Sequence, residues 1–303
     1  MSVLLAALLL DGIAGEPRWL WSRLPHPAVV IGRAIGWADQ RFNTGAARKP
    51  KGTLFIGALL AASLAVGAAL SNLGWVVEAL VASMLLAQRS LAEHVAAVAE
   101  GLNLSLAEGR RRVAMIVGRD TAEMDEAAVS RAAIESAAEN LSDGVIAPAF
   151  WFVIGGLPGM LAYKAVNTAD SMVGYLTPRH AEFGWAAAKL DDLANWGPSR
   201  ITAFLILLAD LRLGSWSDVA RDASRHRSPN AGWPEAALAR SLDVSLSGPR
   251  RYQGKEEPFA YVHAQGRHDA NKRDIVRAVE ALWRVWWFAI GGTAALAVTT
   301  ALF

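Results

Sequence analysis

Residues 52–77 read GTLFIGALLAASLAVGAALSNLGWVV and contain no charged side chain. A helix needs about 20 apolar residues to cross the roughly 30 Å of hydrocarbon in a bilayer, so this run is long enough to span. Ser71-Asn72-Leu73-Gly74 is typical of a turn and divides the run in two. We therefore predict a membrane-spanning hairpin of two helices, Thr53–Leu70 and Trp75–Leu91.

The C-terminal residues predict another spanning helix. Val285–Phe303 carries no charge and is preceded by Arg284. Trp283, Trp286 and Trp287 stand around the start of this run. Tryptophan and arginine are typical of the level at which a helix enters the membrane, so these residues predict an interfacial anchor.

A third long apolar stretch, Gly144–Tyr163, has Gly155-Gly156-Leu157-Pro158-Gly159 at its centre. Glycine and proline break helices. We therefore expect a re-entrant pair of half-helices, or two buried helices, rather than one span, and we favour the re-entrant pair. Two further apolar stretches, Met1–Leu10 and Ile201–Ala209, are short. The sequence thus predicts between three and six spans.

The composition fits the same class of protein. Of the 303 residues, 53% are hydrophobic and 19% are charged, with a mean hydropathy of +0.25, which makes an ordinary soluble domain unexpected. A net charge of +2 does not favour a nucleic-acid partner. The absence of cysteine excludes disulfides, thiolate metal sites and cysteine nucleophiles.

These features predict an all-α, polytopic integral membrane protein with spanning and re-entrant helices. We expect a single domain over residues 1–303, with polar helical segments at 93–143, 164–200 and 211–283. Arginine and lysine are concentrated on both sides of the hairpin, in segments 11–51 and 110–131. The positive-inside rule makes that side cytoplasmic. We therefore expect a multi-pass protein of the inner membrane whose site faces the cytoplasm.

Charged residues recur every four positions at Arg131, Glu135, Glu139 and Asp143, with Asn140 beside them. On a helix this spacing forms one stripe. Two interpretations are open. The stripe is either a solvated helix face or a functional cluster, since it runs directly into an apolar stretch where carboxylates are costly.

Two further motifs carry polar side chains on the far side of the glycine break. The first contains Lys164, Asn167 and Asp170, and the second contains Asp191, Asp192 and Asn195. Carboxylate and amide oxygens on neighbouring helices suit Mg²⁺ bridged to a phosphorylated substrate. The alternative is helix capping and hydrogen bonding among buried polar groups.

The segment around residue 120 predicts a helix start. Asp120 or Thr121, followed by Glu123, is typical of an N-cap with a capping-box partner. Arg119 would then lie at a helix N-terminus, where phosphate groups bind readily. We expect Arg119 to bind phosphate and Asp120 to serve as a cap.

Two isolated residues have both a functional and a structural interpretation. His26 lies between Pro25 and Pro27 in a rigid turn that is able to aim its side chain. Asn230, in a Pro-Asn-Ala-Gly loop, is either a binding residue or a simple turn residue. The chain has no Walker loop, zinc motif, nucleophile elbow or dinucleotide fingerprint.

Taken together, several motifs resemble the membrane-bound adenosylcobinamide-phosphate synthases of cobalamin biosynthesis. In chain order they are Asp11–Pro17, Pro25–Pro27, Gly118–Thr121, Arg131–Ser136, Glu139–Gly144, Ala147-Pro148, Tyr163–Thr168, Asp170–Tyr175, Asp191–Asn195 and Ser228–Gly232. The resemblance covers almost the whole chain. Ala169, where we expect leucine, and residues 196–200 depart from the pattern without removing a charged or amide group.

The resemblance implies an ATP-dependent amide ligation. Adenosylcobyric acid would be joined through its free propionate to (R)-1-aminopropan-2-ol or its phosphate, giving adenosylcobinamide or its phosphate. ATP, Mg²⁺, the corrinoid, the aminopropanol and the lipid bilayer are the expected partners. A homo-oligomer is also compatible with the sequence.

The roles of individual residues are our own hypothesis. The carboxylates expected to hold Mg²⁺ are Asp143, Asp170, Asp191 and Asp192. The residues expected to bind substrate or phosphate are His26, Arg119, Arg131, Asn140, Asn167, Asn195 and Asn230. Lys164 is expected to act on phosphate or carboxylate, and Glu135 or Glu139 is expected to be the base that takes the ammonium proton.

Two other functions also use acidic residues in helices. An intramembrane prenyl transferase would bind diphosphate through Mg²⁺, but would need longer apolar spans around its acids. An ion-coupled transporter would need inverted repeats with broken helices in both halves, whereas only one break is evident.

Overall fold

The computed structural model describes residues 1–16, 18–252 and 254–302. Pro17, at the end of the Asp11–Pro17 motif, and Phe303, at the end of the predicted C-terminal helix, lie outside the described residues. The helices are α1 Ser2–Ala14, α2 Arg18–Trp21, α3 Pro27–Phe42, α4 Arg48–Ser71, α5 Trp75–Leu85, α6 Gln88–Leu104, α7 Leu106–Val113, α8 Glu126–Leu141, α9 Ala147–Val173, α10 Trp185–Ala194, α11 Trp196–Ala209, α12 Trp216–Ala223, α13 Gly232–Leu242 and α14 Lys272–Leu302. A π-helical turn, Ser142–Ile146, joins α8 to α9.

The contacts divide the chain into two compact units, whereas the sequence predicts a single domain. Unit 1 contains Met1–Ala87, Ala147–Asn195 and the C-terminal residues from Thr293 onward. Unit 2 contains Gln88–Ile146 and Trp196–Gly292. Each unit is assembled from separate stretches of the chain, so neither corresponds to one polar segment.

Four helical stretches in the described part of the chain are long and apolar enough to cross a membrane. They are Arg48–Ser71, Trp75–Leu104, Glu126–Val173 and Lys272–Thr299, and the shorter apolar helices are α1 and α11. This number lies within the predicted range of three to six. The predicted turn after α4 is present. The helix after it is predicted to reach Leu91, but it ends at Leu85 because the backbone of Leu86 is extended. Neither glycine nor proline marks that break.

The glycine break predicted in the third apolar stretch is present within α9. Gly155 and Gly156 leave the helical conformation, and Gly156 has a φ of 60° that side chains disfavour. Pro158 follows in the first turn of the second half, where its missing N–H costs little. The chain therefore forms two half-helices, as predicted. Their re-entrant path stays a prediction.

The start of α8 differs from the prediction. The helix begins at Glu126, and its N-cap is Asp125, whose carboxylate accepts a hydrogen bond of 2.7 Å from Ala128 N. The prediction that Asp120 or Thr121 caps a helix is wrong. Asp125 stands directly before the helix, so its carboxylate accepts the hydrogen bond at the helix start that was expected of Asp120.

Unit 2 also contains strands, which the all-α prediction omitted. Strands β1 Leu246–Ser247 and β4 Tyr261–Val262 pair antiparallel, and between them β2 Arg250–Tyr252 pairs with β3 Lys255–Glu257. Strands of two or three residues are too short to show an alternating pattern in the sequence. The chain is nevertheless mainly helical, as predicted.

The core of unit 2 surrounds α8, where almost every position between Val129 and Ala138 is buried. Small residues at most of these positions allow α6, α13 and β1 to pack closely on several sides of α8. Helix α8 therefore presents Ser130, Glu135 and Ser136 to the interior of the unit, whereas Glu139 and Asn140 near its end are exposed.

Unit 1 is held together by close packing of α4 against α9 and α10. A Cβ atom on Gly52 would overlap the carbonyl oxygen of Phe183, and one on Gly67 would lie 2.5 Å from the Cα of Pro158. Glycine at these positions lets backbones meet directly, which is a common way for membrane helices to associate.

We predict that Gly52→Ala destabilises the protein by about 1 to 3 kcal/mol, the usual cost of overpacking. Gly57→Ala is the matched control, because it lies on the same helix and a Cβ there would meet nothing within 4 Å. Thermal unfolding of the two variants in detergent measures the difference. Equal melting temperatures would contradict the packing described for α4.

Candidate functional site

Glu135, near the middle of α8, is a carboxylate buried inside unit 2, with a relative exposure of 4%. Its Oε2 accepts a hydrogen bond of 2.7 Å from Arg119 Nη2 and lies 3.2 Å from Arg250 Nη2. Its Oε1 accepts a hydrogen bond of 2.7 Å from the backbone N of Ser247. A buried carboxylate that receives these three donors is stabilised as an anion.

A second buried carboxylate, Glu235 on α13, lies on the other side of Arg250. Glu235 Oε2 is 3.7 Å from Arg250 Nη2, and Glu235 Oε1 is 3.5 Å from His226 Nε2. Burial, together with the nearby charge of Glu135, raises the pKa of Glu235 well above its ordinary value. Burial lowers the pKa of His226. The surroundings of Glu235 therefore disfavour its charged form, whereas the donors around Glu135 favour the charged form of that residue.

A cavity of about 550 Å³ opens beside Glu135. Its lining includes four arginines, namely Arg119, Arg131, Arg250 and Arg251. The loop before α8 closes one side by binding the β2–β3 hairpin: Gly254 N donates to Asp120 Oδ2 at 2.7 Å, and Asp120 N donates to the carbonyl oxygen of Arg251 at 3.1 Å. This concentration of guanidinium groups suits a carboxylate or a phosphate.

Arg119 does not lie at a helix N-terminus, which corrects the geometry predicted from the sequence. It lies in the loop before α8, where it lines the cavity and forms an ion pair with Glu135 on α8. Arg131 also lines the cavity and donates a hydrogen bond of 2.9 Å to the carbonyl oxygen of His268.

The predicted charged stripe is not a uniformly solvated face, because Glu135 is buried. Glu139 and Asn140 are exposed, and Asn140 donates a hydrogen bond of 2.9 Å to the carbonyl oxygen of Ser136. Asp143 is half-buried in the π-helical turn, where the helical spacing changes. The four-residue periodicity therefore does not continue unchanged to Asp143.

In unit 1, three residues from the predicted motifs meet. Asp191 Oδ1 accepts a hydrogen bond of 3.2 Å from Asn167 Nδ2, and Asp191 Oδ2 accepts one of 3.1 Å from Asn195 Nδ2. Tyr163 donates its hydroxyl hydrogen to Asn195 Oδ1 at 2.9 Å. Burial raises the pKa of Asp191, although the two amide hydrogen bonds oppose this shift.

The other predicted residues of this unit lie on the same helices. Lys164 and Asp170 are half-buried on α9, and Asp192 is half-buried on α10 with Lys189 Nζ at 3.7 Å. Among the described residues, no group of three or more His, Asp or Glu side chains gathers in a geometry that would hold a metal ion. A Mg²⁺ ion bound here would therefore take one or two carboxylates, with water and phosphate oxygens completing its shell.

His26 and Asn230 both have structural roles. His26 is the N-cap of α3, since its Nδ1 accepts a hydrogen bond of 3.2 Å from Ala28 N, and burial lowers its pKa. Asn230 is buried, accepts a hydrogen bond of 3.4 Å from Ser199 Oγ, and bonds Trp233 N through its own carbonyl oxygen. Their predicted roles in substrate binding stay predictions.

Sequence reasoning missed Arg250, Glu235, His226 and Ser247, all of which belong to the buried cluster around Glu135. They lie about 90 to 115 residues from Glu135 along the chain. A faint signal existed in Arg250-Arg251, which follows the turn-forming residues Ser247-Gly248-Pro249. Paired arginines beside a turn are candidates for anion binding.

The architecture and the site define a helical protein that has helices able to span a membrane and an arginine-lined cavity beside a buried carboxylate. A family model described as CobD/Cbib protein matches residues 4–282. The chain belongs to this family, which confirms the resemblance to adenosylcobinamide-phosphate synthases.

Three relatives, each named cobalamin biosynthesis protein CobD, illustrate the similarity. The protein of Sinorhizobium fredii is 48% identical over 93% of this chain and 92% of its own length. The protein of Rhizobium meliloti is 46% identical over 99% and 98%, and that of Halalkalibacterium halodurans is 41% identical over 95% and 96%. No solved structure matches this chain.

We predict that Glu135→Gln and Glu235→Gln have opposite effects. Glu135→Gln leaves Arg119 and Arg250 buried without their anion, which costs about 3 to 5 kcal/mol. Glu235→Gln replaces a carboxyl group whose pKa is raised. The folded protein holds that proton more tightly than the unfolded chain, so this stabilisation is complete below the ordinary glutamate pKa and is lost as pH rises through the folded value.

The glutamine variant cannot lose that proton. It should therefore match the wild type below the ordinary glutamate pKa and become the more stable of the two as the pH rises. Thermal unfolding in detergent, measured from about pH 4 to about pH 8, tests this. Equal destabilisation by the two substitutions would contradict the protonation states assigned here.

Proposed function

We propose that this protein acts in cobalamin biosynthesis as an ATP-dependent ligase. It would join the free propionate of adenosylcobyric acid to (R)-1-aminopropan-2-ol or its phosphate, giving adenosylcobinamide or its phosphate. Membership of the CobD/Cbib family supports the pathway. The observation that carries the proposal is the arginine-lined cavity beside Glu135, because every substrate but the free amino alcohol is anionic.

The chemistry requires activation of a carboxylate. In the proposed reaction a propionate oxygen attacks the γ-phosphorus of ATP, and ADP leaves. The amine then attacks the acyl carbon, inorganic phosphate leaves, and the amine's extra proton passes to a base. Guanidinium groups stabilise the phosphate and carboxylate charges that these two steps bring together.

We assign the anion-binding role to Arg119, Arg131, Arg250 and Arg251. Arg119 and Arg250 are fixed by Glu135, so their positions are set before substrate arrives. Preorganised cations of this kind stabilise developing charge without reorganising during the reaction.

Of the two candidate bases, we favour Glu139. Glu135 receives two guanidinium groups and a backbone N–H, and such donors weaken a carboxylate as a base. Glu139 is exposed on the same helix, four residues further on. In this proposal Glu135 positions the arginines, and Glu139 accepts the ammonium proton.

The residues around Asp191 fit Mg²⁺ by the chemistry of their donors. Asp191, Asp192 and the amides of Asn167 and Asn195 offer hard oxygen ligands on neighbouring helices of unit 1, with Asp170 as a further candidate. Asp143 belongs to unit 2, and its predicted role as a metal ligand stays a prediction. Bound Mg²⁺ would supply the positive charge that neutralises phosphate oxygens. Lys164 is proposed to add a further cation for phosphate or carboxylate.

We predict that Asp191→Asn and Asp192→Asn each abolish ligation, because each removes a charged oxygen ligand. Asp125→Asn is the matched control, since asparagine caps a helix as well as aspartate does. Purified protein is assayed in detergent with adenosylcobyric acid, ATP, Mg²⁺ and aminopropanol or its phosphate. Circular dichroism confirms folding, and near-wild-type turnover in both site variants would discard the metal assignment.

The same assay tests the proposed function itself. Corrinoid-dependent ADP release together with a cobinamide product is the expected result. The prenyl transferase and the transporter predict no such product. A folded protein that releases no ADP with any pairing of corrinoid and amine would overturn the ligase assignment.

We further propose that the protein lies in the inner membrane with its active site in the cytoplasm. Leu176→Cys tests this, because Leu176 is 79% exposed in the loop after α9 and the native chain has no cysteine. A membrane-impermeant thiol reagent should label this variant only after the cells are permeabilised. Labelling of intact cells would contradict a cytoplasmic position of the segment 164–200.

A further inference from the structure

A second arginine-rich surface lies outside the site described above, at the start of the apolar part of α14. Arg284 is the last charged residue before the apolar run that begins at Val285. Its Nη2 forms an ion pair of 2.9 Å with Asp210 Oδ1, at the end of α11. This ion pair holds the loop that follows α11 beside Arg284, the position at which α14 becomes apolar.

This loop presents apolar side chains to the outside. Leu211 is 89% exposed and has a φ of 55°, a conformation that is uncommon for a large side chain. Leu213 and Trp216 are also exposed, as are Trp287 and Phe288 on α14. The backbone strain that turns this leucine side chain outward is compensated where the side chain contacts an apolar medium.

A cavity of about 440 Å³ adjoins the loop. Its charged lining consists of Arg212, Arg277 and Arg284, with Asp210 and Glu280. Arg277 is partly compensated by Asp274 at 3.1 Å, and Arg284 by Asp210. In the described part of the chain, the Arg212 guanidinium forms no ion pair or hydrogen bond. Arg212 also lines a neighbouring cavity of about 390 Å³, where Arg221 is paired with Asp218 and Arg240 with Asp222.

We propose that residues 210–216 and the cavity of Arg212, Arg277 and Arg284 bind the phosphate headgroup of an anionic phospholipid. The inference rests on the proposed insertion of α14 in the bilayer. The arginines supply the positive charge that a phosphodiester requires. The exposed leucine and tryptophan side chains of the loop supply contacts to the apolar part of the lipid. Basic pockets beside membrane helices bind anionic headgroups in this way.

The test uses the full chain in neutral detergent with phosphatidylglycerol, phosphatidylcholine or inorganic phosphate. Native mass spectrometry measures lipid bound to the wild type and to the double variant Arg212→Gln/Arg277→Gln. Arg273→Gln is the matched control, because it lies one turn before Arg277 on the same helix and does not line the cavity.

We expect phosphatidylglycerol to bind at least ten-fold more tightly than phosphatidylcholine. Each cavity arginine is worth about five-fold in affinity for an anionic headgroup. The preference should therefore be lost in the double variant and unchanged in Arg273→Gln. Equal binding of the two lipids by the wild type, or full selectivity in the double variant, would overturn the inference. Competition by inorganic phosphate at concentrations equal to those of the lipid would identify a soluble anion site instead.

A second measurement follows Leu211 itself. Leu211→Cys carrying an environment-sensitive fluorophore is reconstituted in vesicles that contain doxyl lipids labelled near the headgroup. Quenching is expected, and its absence would overturn insertion of this loop. Ligation by the wild type is assayed in parallel, so a wild type that ligates normally but binds the two lipids equally refutes this inference while leaving the ligase assignment standing.

Discussion

The burial of one charged carboxylate, Glu135, governs the arrangement of unit 2. Removing an ionised carboxylate from water costs several kcal/mol unless cations and hydrogen-bond donors compensate. Its compensating groups come from three separate places: the loop before α8, strand β1 and strand β2. Those segments must therefore be in place together, and the cavity beside Glu135 is bounded by the same segments.

The contrast between Glu135 and Glu235 shows how position sets the chemistry of one residue type. Arg250 lies between them, closer to Glu135 at 3.2 Å than to Glu235 at 3.7 Å. Glu235 has His226 as its other neighbour, and burial disfavours the charged form of both groups. A cluster with two arginines and one firmly charged glutamate retains positive charge, which suits an anionic substrate.

The sequence was informative where a property depends on neighbouring residues. The turn after α4 and the break at Gly155-Gly156 follow from local backbone preferences, and the contact of Asn195 with Asp191, four residues before it, follows from helical spacing. The mostly helical, membrane-compatible class follows from apolar run lengths in the same way.

It failed where distant segments decide the outcome. Asp120 reads as a helix cap, but its carboxylate binds Gly254 in a hairpin that lies 134 residues away, and Asp125 takes the cap. Arg250 and Glu235 acquire their importance only when β2 and α13 pack beside α8. No local pattern encodes such contacts, because their energy comes from charges that meet only in the folded unit.

The two units also carry opposite electrostatic requirements. The cavity of unit 2 is rich in guanidinium groups and retains capacity for an anion. In unit 1, Asp191 is half-buried, accepts amide hydrogens from Asn167 and Asn195, and forms no ion pair among the described residues. A bound cation stabilises a carboxylate that has no ion pair more than it stabilises a carboxylate already paired with arginine.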